Sequence, residues 1–537
     1  LTIVVRDEGT GEITPCRVEV SDSDGNFFTA EDALRVPGDC TNHPEPREMG
    51  FQESVAELPT NIQNLYAQST QFYVNGRAEL QLVPGDYRVR LFKGPEFRPV
   101  DRSLSVDGGA DQVEQISLGR WIDMRQRGWI SADDHLHIAR NVPEMNPIVA
   151  RVMQAEDIRV ANLLQIGLAD RFHTAKQYSF GPDGEYWDDG YLLVSGQENP
   201  RTRFLGHSIV LGAQEPIHLE ENYLIYYLFW EEAQRQGGIA GWAHFGTDWL
   251  QEMGGQYGLP VALPHDLLTF IEVIQFNGAV YGPWYDMLNM GFRITATAGT
   301  DFPCGGANIP GRERFYTRVE EPFTHQTWLD GVRRGRTFAT SGPMVEFSVD
   351  GQPIGDEVHL QQPGVVQVSG AVYWEPAADE VTHLELVENG VVVESFPSRA
   401  GEAQNAFQIE HRLSESAWLA VRASGTKVDE RAGPPALRSM GPTSVAHSSP
   451  IFVTVVGTTP IQAQSRAKDA ARAWHTRLVD LETRLTGERI DDLAKWLGSR
   501  TFDTVSRNRL VAGRDRLLEE IDRAKRFFSS LRTHASS

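Results

Sequence analysis

The hydrophobic pattern of this chain changes three times along its length, and no single regular fold accommodates all four segments. Apolar and polar side chains alternate over residues 1–120, which predicts an antiparallel β-sandwich. Short apolar strands alternate with helical stretches over residues 121–343, which predicts a parallel sheet or a βα barrel. The two-residue alternation returns over residues 344–457, as in a second β-sandwich, and a helical period follows over residues 458–537. The 537 residues therefore predict a multidomain chain of four parts.

The charge and hydropathy of the chain restrict its partners. Acidic residues outnumber basic ones by 73 to 50, which gives a net charge of −23. Sequence-independent binding to nucleic acid needs a basic surface, so nucleic acid is excluded as a partner. No apolar run reaches the roughly 18 residues that a membrane-spanning helix needs, so no such helix is predicted. A small-molecule substrate is the expected partner.

The three cysteines, Cys16, Cys40 and Cys304, limit the redox and metal chemistry. No Cys-x-x-Cys pair occurs, which excludes a zinc site built from thiolates. Cys16 and Cys40 lie in one N-terminal segment, and the sequence is compatible both with a disulfide between them and with two unpaired thiols. The chain begins at Leu1 without a methionine, so a removed leader is one interpretation, and a periplasmic or secreted location is favoured over a cytoplasmic one.

Side chains that bind metal ions recur at the ends of the predicted central strands. His135 and His137 are two residues apart, so on a strand both imidazoles point to one face. Glu198, His244 and Asp301 each end or follow a predicted apolar strand, whereas His207 begins one. Any one of them alone reads equally well as a loop residue or a buried polar group, but several together favour one shared metal site. The candidates are His135, His137, Glu198, His207, His244 and Asp301.

The chemistry of these candidates indicates the metal. Histidine and carboxylate ligands without cysteine suit zinc, manganese or iron rather than Cu(I) or Ca²⁺, and zinc is expected first. Six ligands exceed the three or four that one catalytic zinc takes. They suit two divalent ions about 3.5–4 Å apart, with Glu198 as the natural bridge.

The order of these motifs resembles that of the PHP superfamily of metal-dependent phosphoesterases and hydrolases. The closer similarity is to the CehA/McbA-type metallohydrolases, which include carbaryl hydrolases. It covers residues 1–457 and includes GWISADDHLHIAR at 128–140 and GRTFATSGP at 335–343. Further matching segments are VANLLQIG (160–167), HSSPIFV (447–453), VPGDYRV (83–89) and KGPEF (93–97).

This resemblance implies a TIM-like distorted (β/α)7 barrel over the central part, with a site of two or three metal ions. It places His135, His137, Glu198 and Asp301 at one ion, and Glu198, His207 and His244 at the other. Three departures from the family pattern disfavour a third ion. Pro303 stands where trinuclear members have histidine, Val142 replaces an acidic residue or histidine, and residues 167–170 lack the Thr-Asp-His of those members.

Other polar residues near the motifs have weaker assignments. Arg140 could stabilise negative charge that develops on the substrate, or pair with Asp133 or Asp134, which are themselves candidates to orient the histidine rings. His173 and Cys304 are expected to line the pocket. Glu272, in an otherwise apolar strand, either braces a metal-binding histidine or forms a salt bridge.

The expected activity is hydrolysis by a hydroxide held between two metal ions, with Asp301 as proton acceptor. The resemblance to the CehA/McbA-type enzymes implies carboxyl or carbamate esters or amides as the substrates. A PHP-type phosphoesterase is the alternative, disfavoured because no Arg or Lys clamp surrounds the motifs. A non-catalytic surface- or carbohydrate-binding protein is the third class, suggested by the two sandwiches. The apolar stripe of the C-terminal helices is expected to pack on the body of the protein, or on a second copy in a homo-oligomer.

Overall fold

The computed structural model describes residues 1–34, 70–108, 111–167, 172–202, 205–244, 257–276, 278–304, 309–399, 401–425, 444–487 and 504–533. Side chains are described for these residues except 172–174, 504–511 and 533. Within this part of the chain no helix is both long and apolar enough to cross a membrane.

The N-terminal part consists of two sheets that share one apolar core. Their strands are β1 (Thr2–Asp7), β2 (Cys16–Asp22), β3 (Phe27–Phe28), β4 (Gln71–Val74), β5 (Arg77–Glu79), β6 (Gly85–Phe92), β7 (Val100–Val106) and β8 (Val113–Leu118). β1 lies between β5 and β8 in one sheet, while β2, β3, β4, β6 and β7 form the other. Side chains that alternate along the strands, among them Val5, Val18, Val89 and Ile116, meet between the sheets.

The central part carries the predicted ligands. Its strands are β9 (Trp129–Leu136), β10 (Val160–Gly167), β11 (Phe172–Thr174), β12 (Tyr186–Asp188), β13 (Tyr191–Thr202), β14 (Gly206–Leu211), β15 (Ile239–Trp242), β16 (Phe270–Gln275), β17 (Gly278–Ala279), β18 (Thr295–Ala298), β19 (Arg314–Arg318) and β20 (Thr337–Thr340). Its helices are α1 (Asn146–Ala155), α2 (Tyr226–Arg235), α3 (Gly258–Ala262), α4 (Gly282–Asn289) and α5 (His325–Arg333).

The C-terminal part adds ten strands and two long helices. The strands are β21 (Met344–Val349), β22 (Gln352–Pro353), β23 (Glu357–Leu360), β24 (Gly364–Tyr373), β25 (His383–Glu388), β26 (Val391–Pro397), β27 (Gln404–Leu413), β28 (Ala417–Ser424), β29 (Val445–Ser448) and β30 (Ile451–Val455). The helices are α6 (Ser465–Gly487) and α7 (Thr504–Thr533). Asn389 and Gly390, both at positive φ, connect β25 and β26, which confirms the hairpin that Asn-Gly predicts.

The predicted distorted (β/α)7 barrel is wrong, because in the described chain β10 to β14 follow one another without an α-helix between them and the strands do not all run parallel. β9, β10 and β13 are parallel neighbours, and so are β15, β16 and β18. Between these groups β14 is antiparallel to both β13 and β15, and β19 is antiparallel to β9 and β20. A local hydrophobic pattern identifies a strand but does not report its direction, which long-range pairing decides.

The predicted second β-sandwich is not a separate unit either. β20 pairs with β29, and β23, β25, β28 and β30 continue the same hydrogen-bonded network, so one large mixed sheet runs from the central into the C-terminal part. Strand residues outnumber helical ones in the described chain. The domain boundaries at residues 120, 343 and 457 remain predictions.

The C-terminal helices α6 and α7 pack on each other and on the body of the same chain. Leu478 and Leu481 of α6 are buried together with Ile521 and Phe528 of α7 in the largest apolar cluster. The Tyr257 hydroxyl donates to Asp480 Oδ2 at 2.6 Å, which ties α6 to the central part. Packing on the body is thus confirmed, and a homo-oligomer remains a prediction.

Candidate metal centre

The large sheet brings all six predicted ligands into one cluster. His135 lies in β9 and His137 follows this strand, Glu198 lies in β13, and His207 lies in β14. His244 and Asp301 follow β15 and β18 by two and three residues. Three overlapping groups of ligand atoms lie within 4.8 Å of one another: His135–His137–Glu198, Glu198–His207–His244 and His135–His244–Asp301.

The first histidine pair faces both carboxylates. His135 Nε2 and His137 Nε2 are 3.1 Å apart. Asp301 Oδ1 lies 2.9 Å from His137 Nε2 and 3.3 Å from His135 Nε2. Glu198 Oε2 lies 3.5 Å from His137 Nε2 and 3.9 Å from His135 Nε2. Both carboxylates therefore lie close to the two Nε2 atoms, as groups that could share a metal ion do.

The second histidine pair faces the other oxygen of the same glutamate. Glu198 Oε1 lies 2.5 Å from His207 Nδ1 and 3.2 Å from His244 Nε2. The Glu198 carboxylate thus stands between the two pairs with one oxygen toward each. Its side chain is only 1% exposed, so no solvent screens these contacts.

Acceptor groups behind three of the rings fix their tautomers. His135 Nδ1 donates to Glu272 Oε1 at 2.8 Å, and His137 Nδ1 donates to the Leu164 carbonyl at 2.9 Å. His244 Nδ1 lies 3.0 Å from the Gln275 amide oxygen. Because these oxygens accept the Nδ1 hydrogens, the Nε2 lone pairs face the centre of the cluster. Two lone pairs at 3.1 Å repel each other, so the arrangement fits a cation between them.

Glu272 also accepts a hydrogen bond from the backbone N–H of His244 at 2.7 Å. The sequence left two interpretations of this buried residue, a brace for a metal-binding histidine or a salt bridge, and its contacts favour the brace.

The Asp133 carboxylate does not contact a histidine ring. It accepts from the backbone N–H of His135 and of Gly311, and from both the N–H and the hydroxyl of Thr300. Asp133 therefore positions the backbone next to Asp301.

The backbone turns sharply at two of the ligands. His244 has a φ of 60° and Asp301 a φ of 58°, the left-handed region that few non-glycine residues adopt. Such strain persists where surrounding contacts over-determine the conformation, and it clusters at functional sites. At both positions the chain leaves a strand and immediately turns a ligand toward the cluster.

Burial and neighbouring charges shift the pKa values of the ligand side chains in different directions. Burial alone would raise the pKa of Glu198 and of Asp301. The Arg201 and His207 charges outweigh it and lower the pKa of Glu198, and the His135 and His244 charges lower that of Asp301. Burial and the Arg201 charge lower the pKa of His207 to about 4, so this ring is neutral at pH 7. Burial opposes protonation of His135, but Glu272 and Asp301 raise its pKa well above the usual range. The same negative field attracts a metal cation.

Arg140 lies outside this cluster. Its Nε donates to Gln177, one terminal nitrogen donates to Asn146, and the other donates to Ser195 and to the Gly184 carbonyl. The side chain is fully buried and directs its donors to these four groups. These hydrogen bonds connect α1 and β13 with the segments around Gln177 and Gly184. Neither Asp133 nor Asp134 is a partner of Arg140.

Two other predictions concern residues of the same region. His173 lies in β11, and its side chain falls outside the described part of the structure. Cys304 has its sulfur within reach of His137 and Asp301 but is disulfide-bonded, so it offers no thiolate ligand. Cys16 is a buried free thiol, and burial raises its pKa to about 12. Of the two alternatives that the sequence leaves open for Cys16, a disulfide with Cys40 or an unpaired thiol, the structure has the unpaired thiol, and Cys40 lies outside the described residues.

Arg201 is a residue of the site that the sequence analysis missed. Its Nε lies 3.3 Å from Glu198 Oε2. On a regular strand, positions 198 and 201 point to opposite faces, so the strand pattern does not predict a contact between them. A register shift between Glu198 and Arg201 in the β13–β14 pair changes this alternation.

No protein-family model matches this chain, and neither curated proteins nor solved structures include one that is similar to it. The resemblance to the PHP superfamily therefore rests on the motifs alone and remains a prediction.

Proposed function

We propose that this protein is a metal-dependent hydrolase whose centre holds two divalent ions, with zinc expected before manganese or iron. The observation that carries the proposal is the position of Glu198, with one carboxylate oxygen toward each histidine pair. A single ion would need only one of these pairs. His135, His137 and Asp301 would hold one ion, His207 and His244 the other, and Glu198 would bridge them.

Divalent ions at such a centre lower the pKa of a bound water and polarise an oxygen of the substrate. The hydrogen bonds that the Nδ1–H groups of His135, His137 and His244 donate to Glu272, the Leu164 carbonyl and Gln275 keep these three rings in the ligand tautomer. Asp301, whose side chain is 10% exposed, can accept a proton from the attacking water and pass it to the leaving group. Water is thereby added across the bond, giving an acid and an alcohol or amine.

Carboxyl and carbamate esters and amides are the proposed substrates, because the motifs resemble those of the CehA/McbA-type enzymes. A phosphoesterase is the second candidate. The absence of a basic clamp was the argument against it, and Arg201 beside Glu198 weakens that argument. The complete set of ligands argues against a non-catalytic binding protein.

The test combines metal analysis with a substrate panel on the same folded sample. We expect two transition-metal ions per chain by mass spectrometry, and turnover of an ester, carbamate or phosphoester substrate. Glu198→Gln keeps the shape but removes the bridging charge, so at least one ion should leave and turnover should fall by orders of magnitude. Glu394→Gln, at an exposed position of β26, is the matched control and should change neither.

Two retained ions with near-normal turnover in Glu198→Gln would contradict the bridging role. Wild-type protein that binds no metal after supplementation and hydrolyses none of the panel would contradict the proposed function as a whole.

A further inference from the structure

We propose, on the basis of the proposed hydrolase function, that Arg201 binds an anionic group of the substrate, a carboxylate or a phosphoryl group next to the bond that is cleaved. The site would then select substrates by charge. Four features of the structure support this assignment: the direction of the side chain, its anchoring, its exposure and the charge balance of the cluster.

A β-bulge directs the Arg201 side chain to the face of the ligands. In the β13–β14 pair, Glu198 lies opposite Ile209 and Arg201 lies opposite His207, so three steps along β13 match two steps along β14. The extra residue reverses the alternation, and Arg201 shares a face with His207 and Glu198. Pro200 stands in the bulge, where no ladder hydrogen bond from its nitrogen is needed.

The backbone of Arg201 is anchored rather than loose. Its N–H donates to the Tyr223 hydroxyl at 3.1 Å, and the same hydroxyl donates to the Arg201 carbonyl at 3.1 Å. Tyr223 is 2% exposed, so the anchor is part of the core. The Arg201 backbone therefore has a fixed position beside the cluster, so only the side chain has to be ordered when it binds a ligand.

Exposure increases across the cluster toward Arg201. The His135 and His137 side chains are 0% exposed, and those of Asp301, His207 and Arg201 are 10%, 17% and 19% exposed. The opening to solvent is therefore on the side of His207 and Arg201. A substrate that enters from this side meets the guanidinium next to the ligands.

The charge balance of the metal-loaded cluster explains why the positively charged Arg201 side chain lies beside it. Glu198 and Asp301 carry two negative charges toward the metal positions, and Glu272 behind His135 adds a third, whereas two divalent ions bring four positive ones. With metal bound, Glu198 needs no further neutralisation, and Arg201 adds one more positive charge. The excess favours an anionic ligand, and the planar fork of arginine matches the paired oxygens of a carboxylate or a phosphoryl group.

The proposal is tested with Arg201→Met, with Arg235→Met as control, because Arg235 is an exposed arginine that pairs with Glu232 on α2. Metal content is measured first, and the Met variant should retain both ions. Binding of inorganic phosphate and of acetate to the metal-loaded protein is then measured by calorimetry. We expect both anions to bind about 10- to 100-fold more weakly to Arg201→Met than to wild type.

Turnover adds a second readout. KM for an ester that carries a carboxylate or a phosphoryl group should rise by a similar factor, with KM for a matched neutral ester unchanged. Separate phosphoryl and carboxylate arms show which group the site prefers. Equal losses for anionic and neutral ligands, or no loss, would overturn the proposal.

Should the Met variant fail to fold, Arg201→Lys decides. This variant keeps the positive charge but loses the planar guanidinium. Anion binding should therefore weaken several-fold, whereas KM for neutral substrates should not change. Any other pattern overturns the proposal. The proposed hydrolase function fails separately, through absent metal or absent turnover in the wild type.

Discussion

At the scale of single residues, the cluster depends on how closely the backbone approaches it. Gly299 lies between β18 and Asp301, and a Cβ atom at this position would come within 2.3 Å of Asp134 Oδ1. The same atom would lie 2.7 Å from His135 Cβ and 2.8 Å from Glu272 Oε1. Asp134 and Glu272 are fully buried, so neither can move into solvent. The position therefore has no room for a side chain.

We predict that Gly299→Ala lowers the free energy of unfolding by about 1–3 kcal/mol, the usual cost of overpacking, and weakens metal binding because Glu272 must move away from His135. Gly282→Ala is the control, because a Cβ there contacts nothing within 4 Å. Chemical denaturation and competition with a chelator measure the two effects. A variant with wild-type stability and metal affinity would show that the pocket around Gly299 can relax.

The ligands could be predicted from sequence because each of them lies within or at one end of an apolar run, as His244 does after β15. The residues that hold these ligands in position could not be predicted from the sequence. Glu272 is 137 residues from His135, and nothing local to either residue reports the contact. Arg201 was hidden for a different reason, because its direction depends on a bulge that the sequence pattern does not reveal.

At the scale of elements, strand existence was predicted better than strand length and direction. The apolar run YLLVSG (191–196) predicts a strand of its own length, but β13 continues to Thr202 and pairs antiparallel with β14. The extension places both Glu198 and Arg201 inside the strand. The C-terminal helices were predicted more completely, since their apolar period directly specifies the face that packs against the body.

We predict that Leu481→Ala in α6 destabilises the helical segment by about 2–5 kcal/mol, the cost of removing a fully buried leucine side chain. Val479→Ala in the same helix is the control, because Val479 is 40% exposed and should cost little. Denaturation midpoints followed by circular dichroism compare the two. Equal midpoints would show that α6 does not depend on its apolar contacts.

At the scale of the whole molecule, a buried ionic network joins the N-terminal sheets to the central part. Arg120 pairs with Glu96 at 2.7 Å and with Asp157 at 2.9 Å. Arg17 pairs with Glu156 at 2.5 Å across the same junction. Burial, and then repulsion from Asp157, raise the pKa of Glu96 to about 7. The junction is therefore sensitive to pH near neutrality.

Between pH 4.5 and about 7 the folded protein retains a proton on Glu96 that the unfolded chain releases, so stability falls as pH rises through this window. Glu96→Gln has no such proton. We predict that the free energy of unfolding of the variant equals that of wild type at pH 5. At pH 8 the free energy of unfolding of the variant should be higher by up to about 3 kcal/mol. Urea denaturation at both pH values measures the difference, with Glu394→Gln as control. A difference that does not change with pH would contradict the raised pKa.

The pairing of β20 with β29 also has a consequence for how this protein is made. Phe338 finds its strand partner Ser448 only after more than a hundred further residues have been synthesised. Until then β20 is an open edge, and open edges of apolar strands invite pairing with other chains. Such non-local contacts slow folding and prolong the exposure. The nascent chain therefore passes through a stage that is prone to aggregation. This stage ends only when β29, the partner of β20, has left the ribosome.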